Sequence, residues 1–297
     1  MHGEKTKEKF KITPFGVVLF IILALYAASV IYIYVWAFLN SFKTSGDFYY
    51  DMFGFPKKWV LEHYVNAFKY LKVPVSLSTG GSYDVLLGEM FAYSVLYSVG
   101  AAFFSTLVPC IAAYAAARYK YRFSKVIYTA VIVTMALPIV GNLPSEIQMA
   151  KTLGIYDSIP GLWLMKANFL GLYFLVFFAA FKNMPAAYAE AAKVDGAGNF
   201  RIMINVALPL IRTTFTTILL LKFIEHWNDY LTPMVYLPGF PTAAYGLYKL
   251  QNMTTGEMSF TPAKLAGCML VLLPILVVFL IFHNRLLGNI TMGGIKE

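Results

Sequence analysis

Ionisable residues are scarce in this chain, so those inside apolar stretches are the first candidates for chemistry. Lys222 and Glu225 stand three apart in an apolar segment, which puts both side chains on one face of a helix. Charges at membrane depth normally face a bundle interior or a water-filled path. The pair therefore lines or gates a polar route, or it neutralises itself between helices or against a partner. Immediately after it, Trp227, Asn228, Asp229 and Tyr230 join an aromatic platform to amide and carboxylate groups. That combination suits a carbohydrate, and aromatics equally mark a membrane interface. His226, beside Glu225, can pass protons or stand as a plain interfacial histidine. The four histidines, His2, His63, His226 and His283, show no metal-ligand spacing. Cys110 and Cys268 lie in apolar segments and read as small buried hydrophobes. Asn252-Met253-Thr254 fits a glycosylation acceptor, a triplet common by chance. No Gly-x-x-x-x-Gly-Lys-Ser/Thr loop is present, so the sequence has no nucleotide-phosphate cradle of that kind.

A second stretch is informative through its spacing. Pro185 suits the first turn of a helix, with Asn183 or Met184 as its boundary. Ala186, Ala187, Ala189, Ala191 and Ala192 then make a small-residue surface that another protein can approach closely. Gly196 and Gly198 permit a sharp change of direction before a second short helix over Asn199 to Val206. Pro209 falls where the chain enters the next apolar run. The expected product is a bent pair of helices on a membrane surface.

The elements that carry these residues follow from composition. The chain has 297 residues, of which 59% are hydrophobic and 13% charged, and its mean hydropathy is +0.64. Soluble domains carry about 25% charged residues, so most of this chain avoids water. Phe15 to Phe42 and Met90 to Ala117 contain no Asp, Glu, Lys or Arg, and each run exceeds the ~20 residues needed to cross a bilayer as a helix. Lipid offers no partners to backbone N–H and C=O groups, and period-2 alternation is missing, which selects helices over a barrel. An all-α, polytopic membrane protein follows, with about six spans expected at 15–42, 90–117, 126–145, 159–181, 211–236 and 265–284. Lys166 in the fourth is expected to snorkel to an interface. The first run is too long for a signal-peptide core, so it reads as an uncleaved span.

With the N-terminus inside, the cytoplasmic face holds 14 basic and five acidic residues, and the outer face nine of each. Lys222 and Glu225 cancel within the fifth span, so the whole net charge of +9 sits on one face, as the positive-inside bias requires. That distribution argues against nucleic acid as a partner and leaves both termini cytoplasmic. Two connections are long: an outer loop from Lys43 to Glu89, expected to be functional or locally structured, and a cytoplasmic loop from Lys182 to Arg212. No internal repeat is visible, so one membrane domain over 15–288 is expected, between cytoplasmic segments 1–14 and 289–297.

The spacing of Glu190-Ala191-Ala192, Gly196 and Leu208-Pro209 resembles the coupling loop of ATP-binding-cassette (ABC) importer permeases, with Val206 where that pattern prefers Ile. Ala112 to Phe123 looks like the end of the second helix in permeases of the maltose and multiple-sugar type. Trp227 to Leu231 and the glycine-rich ending Gly288 to Lys296 are similar to further segments of that group. The resemblance implies a permease that pairs with a second, related permease, two cytoplasmic ATPases and an extracytoplasmic sugar-binding protein. It implies that Glu190, Ala191, Ala192, Asp195, Gly196, Leu208 and Pro209 couple ATPase closure to rocking of the membrane helices. ATP and Mg would then be used by the partners, and this chain would bind no cofactor of its own. Lys222, Glu225, Trp227, Asn228 and Asp229 are the candidates for the substrate path. An ion-driven secondary transporter would need broken helices in two symmetric halves, and a membrane enzyme a catalytic cluster; the sequence offers neither clearly.

Overall fold

The computed structural model describes residues 13–76, 80–119, 122–137 and 141–288. The N-terminal lysines, Ser78-Thr79, Lys120 and the tail beyond Gly288 lie outside them. Helix α1 runs over Pro14–Asn40, with Thr13 Oγ1 accepting from Gly16 N at 3.2 Å and Pro14 in the first turn, where its missing N–H costs nothing. The long connection that follows is structured. It holds α2 (Ser45–Tyr50), α3 (Glu62–Tyr70) and an antiparallel hairpin of β1 (Lys72–Ser76) and β2 (Ser82–Leu86), in register from Lys72↔Leu86 to Ser76↔Ser82. Val73, Val75 and Val85 point inward, a short period-2 pattern inside a loop otherwise marked by Gly, Pro and aromatics.

Helix α4 (Leu87–Arg118) is the spine of the molecule. Three clusters of buried residues gather along it. At its start, Leu87 and Met90 pack with the hairpin, with α14 (Ala243–Gln251) and with α15 (Thr261–Gly288). Two turns further, Tyr97 and Ala101 meet Ile159 and Leu162 of α7 (Ile159–Lys166) and Tyr236 of α13 (Leu231–Tyr236). Toward its end, Cys110, Ala113 and Tyr114 meet Phe174, Phe177 and Phe181 of α8 (Leu172–Lys182) and Ile218 of α12 (Arg212–Asn228). Gly100 lets the Trp163 indole lie against the α4 backbone, where its N–H donates to Leu96 O at 3.1 Å; any Cβ at Gly100 would collide with that ring.

Helices α1, α4 and α15 are each long and apolar enough to cross a bilayer, and two bent pairs can each supply a further crossing. Three expected spans have different bounds. The third, placed at 126–145, is the shorter apolar helix α5 (Arg122–Ala136), followed after Gly141 by a separate helix α6 (Leu143–Thr152). The fourth, placed at 159–181, is α7 and α8, parted by a break at Ala167 to Gly171, where Gly171 has φ 144. The fifth, placed at 211–236, is α12 and α13, parted at Asp229. Between α8 and α12 lie α9 (Ala186–Val194), α10 (Asn199–Ile202), a π-helical turn at Met203–Ala207 and α11 (Leu208–Leu210).

Candidate functional site

The surface segment is built much as its residues dictate. Helix α9 buries no residue; Glu190 and Ala191 are exposed and Ala192 is half-buried. It ends in a Schellman turn. Ala197 N donates to Ala192 O at 2.9 Å and Gly196 N to Lys193 O at 3.0 Å, with Gly196 at φ 81. Asp195 is the C-cap residue. Gly198, expected to share the turn, has φ −70 and simply precedes α10, so the change of direction belongs to Gly196 alone. Pro209 has no N–H to continue the ladder, and just ahead of it Leu208 N bonds five residues back to Met203 O. The segment then meets α12 at 79°, while α8 meets α9 at 68°. Arg118, the last residue of α4, donates from Nη2 to Met184 O at 3.0 Å, at the elbow between α8 and α9. Ser124 Oγ donates to Ala116 O and ties α5 to the same end of α4.

At membrane depth, a cavity of about 400 Å³ opens between α4, α12 and the α7–α8 break. Its polar lining includes Ser105, Lys166, Asn168, Lys222, Glu225 and His226. Lys222 Nζ donates to Glu225 Oε2 at 2.8 Å and to Oε1 at 3.1 Å, and lies 4.8 Å from the centre of the Tyr173 ring. His226 is buried, with its Nε2 3.3 Å from Ser105 Oγ and its ring edge-on to Tyr97, so it is an interhelical residue and not an interfacial one.

Asp229 sits at the α12–α13 break and is held by three elements. Its Oδ2 accepts from Tyr97 OH at 3.2 Å, its Oδ1 accepts from Thr232 N at 3.0 Å, and Lys166 Nζ lies 3.8 Å from Oδ2. Lys166 also donates to Thr232 Oγ1 at 3.2 Å. It joins two helix breaks inside the protein, where the sequence pointed to snorkelling. Sequence reasoning did not pick out Lys166, Ser105, Asn168 or Tyr173 as site residues; a lysine in an apolar run was the one available signal.

Trp227 and Asn228 are placed away from the cavity. Trp227 is buried, its indole N–H donates to Val271 O at 3.1 Å on α15, and its ring stacks on Phe91. Asn228 Nδ2 donates to Ile224 O at 2.9 Å within its own helix. The structure thus brings Lys222 and Glu225 into one cavity wall, with Asp229 a turn beyond. The Glu190–Pro209 residues occupy a separate surface.

An all-α, multi-pass membrane chain with an exposed helix–turn–helix between two spans and a polar cavity beside broken helices defines a membrane transport subunit. Residues 84–290 match the family described as binding-protein-dependent transport system inner membrane component. The chain belongs to that family, and its activity is that of a permease subunit of an ABC importer in the cell membrane. Among its relatives, the diacetylchitobiose uptake system permease of Streptomyces coelicolor is 26% identical over 93% of this chain and 87% of its own length. The trehalose transport system permease of Mycobacterium tuberculosis is 27% identical over 75% of this chain and 84% of its own. The fold matches a chain in the crystal structure of a bacterial ABC transporter involved in the import of the acidic polysaccharide alginate. That match has a TM-score of 0.73 and 23% identity and covers 91% of this chain and 95% of that one.

Proposed function

We propose that this chain moves a sugar or oligosaccharide by alternating access, driven by two partner ATPases that dock on α9. The reading assigns ATPase coupling to Glu190, Ala191, Ala192, Asp195, Gly196, Leu208 and Pro209, and the substrate path to Lys222, Glu225 and Asp229. Trp227 and Asn228 would support that path from behind by fixing α12. A second homologous permease and an extracytoplasmic sugar-binding protein complete the assembly. ATP and Mg belong to the ATPases, and this subunit has no nucleotide site of its own. Both termini are cytoplasmic in this reading, in keeping with the charge bias. The transmembrane domain spans 15–288, with the loop 43–89 outside, the loop 182–212 inside, and residues 1–14 and 289–297 as cytoplasmic ends.

One observation carries the proposal. The exposed helix α9 is joined through the Arg118–Met184 bond to α4, and Ser105 and Pro109 of that same helix line the cavity. The distance from Arg118 to Ser105 along α4 is about 20 Å at ~1.5 Å per residue, so a push at the surface can reach the cavity through one continuous helix, which carries Pro109 in its interior. Sugar is favoured because the named relatives handle diacetylchitobiose and trehalose, and because Lys222 and Glu225 form an opposed pair in the cavity wall, where Lys166 faces Asp229 just beyond it.

The test is to tag the chain at its C-terminus, extract it gently from its native cells and identify what co-purifies. A second hydrophobic permease with an ATPase is the expected result. Recovery of the chain alone or as a homo-oligomer, still active in ATP-free vesicles, would overturn the proposal.

A further inference from the structure

Residues 41–61 form a compact cap at the carboxyl end of α1, and the side chains it turns outward are aromatic. Tyr50 is 90% exposed, Phe53 76% and Phe55 77%. The cap itself is firmly built. Trp36 Nε1 and Asn40 Nδ2 donate to Met52 O at 2.9 and 3.0 Å, Val60 N donates to Phe42 O at 2.8 Å, and Pro56 is buried.

These bonds fix the depth of the aromatics. From Pro14 to Trp36, α1 rises about 33 Å at ~1.5 Å per residue, against a hydrocarbon core of ~30 Å. With Pro14 at one edge of the hydrocarbon, Trp36 falls at the boundary between hydrocarbon and headgroups on the other side, where Trp and Tyr partition. Its bond to Met52 O holds the stretch around Tyr50 and Phe53 at that level, and not out in water.

The charges are arranged to match. The cap's acids are turned to its own backbone: Asp51 Oδ1 accepts from Phe53 N at 3.0 Å and from Gly54 N at 2.7 Å, and Asp47 Oδ2 from Lys57 N at 3.0 Å. Lys57 and Lys58 are exposed. An aromatic face with a cationic rim, held at headgroup level, fits phospholipid better than it fits water.

We infer that this cap is an interfacial anchor. It seats Tyr50, Phe53 and Phe55 among the headgroups and glycerol backbones of the leaflet at the α1 carboxyl end, with Lys57 and Lys58 against lipid phosphates. The inference holds whichever face is cytoplasmic and does not depend on the transported substrate.

The test uses the assembled complex in nanodiscs of phosphatidylcholine brominated near the headgroup end of its chains, with the variants F53W and F55W. Both positions are exposed enough to accept indole without repacking. The emission that each variant adds over the parent chain is compared under bromolipid and under aqueous acrylamide, and the stronger quencher decides. At least ~2-fold more quenching by bromolipid is expected for a side chain at the interface. Stronger quenching by acrylamide would put the cap in water and overturn the inference. Protection from both would mean that another protein covers the cap, which overturns it equally.

Discussion

Asp229 shows how much of a transport site can hang on one carboxylate. It receives Tyr97 from α4 and the Thr232 amide from α13, and it faces Lys166 from α7. Asp229→Asn keeps an oxygen for the Thr232 amide, can donate its NH2 to the Tyr97 hydroxyl oxygen, and loses the attraction to Lys166. Asp229→Ala takes the acceptor from the Tyr97 hydroxyl and the Thr232 amide in a half-buried place and leaves Lys166 only its bond to Thr232 Oγ1. Thermal unfolding in detergent should therefore show Asp229→Ala less stable than Asp229→Asn by about 1–3 kcal/mol, the usual cost of stranded polar groups. Equal stability would mean that the three contacts do not constrain the fold. The acid itself was legible in the sequence, as part of an aromatic–amide–acid run. Lys166 was legible only as an oddity, because its partner lies far along the chain and no local periodicity connects them. Trp227 stayed open between a ligand platform and an interface aromatic for the same reason: nothing nearby shows that Val271 takes its N–H. Asp51 gives a pH signature. Its carboxyl is held below its usual range by the Gly54 and Phe53 amides, and Lys43 and Lys57 add to this. A depressed folded value stabilises the cap above the free-acid value of ~3.9 and is lost as pH falls through the lower, folded one. The Phe53 and Gly54 amides should thus stay protected from hydrogen exchange from neutral pH down to about pH 4 and open only in stronger acid.

Among the elements, the long spans were easy to read and the broken ones were not. Helices α1, α4 and α15 begin and end within a few residues of their charge-free runs, because charge is what hydropathy detects. The α7–α8 break falls inside a run that stays largely apolar, so only backbone conformation marks it. The short hairpin was hidden for the opposite reason: Val73, Val75 and Val85 alternate over too few residues to stand out in a long loop. Gly196 was legible because its role is conformational. A β-branched side chain at φ 81 costs roughly 1–3 kcal/mol, although no atom stands within 4 Å of its Cβ position. Gly196→Val should therefore re-aim α9 without disturbing the core. Membrane insertion should be retained, and in reconstituted complexes ATP hydrolysis should continue while uptake falls. Wild-type coupled transport in that variant would remove the coupling assignment from this turn.

As a whole, the molecule gathers its described buried clusters along α4. Its broken spans resemble those by which ion-driven carriers build their sites, so architecture by itself does not name the energy source. Membership in the binding-protein-dependent family does. Uptake in vesicles carrying the full complex is accordingly expected to stop on ATP depletion and to survive ionophores. The reverse pattern would contradict the coupling scheme.

The central position of α4 also has a consequence for how the protein is made. Helix α1 is apolar on every side and can rest in lipid as soon as it leaves the ribosome. Helix α4 is apolar enough to cross as well, but Ser94, Ser98, Ser105 and Thr106 are buried in the finished protein and face hydrocarbon before it is finished. The partners seen for two of them, the Ala243 amide for Ser94 and His226 for Ser105, are synthesised more than a hundred residues later. From the completion of α4 until Ala243 is added, the second span is therefore an incomplete surface. Any delay before α12 emerges lengthens the time in which the membrane's quality-control proteases can take the nascent subunit.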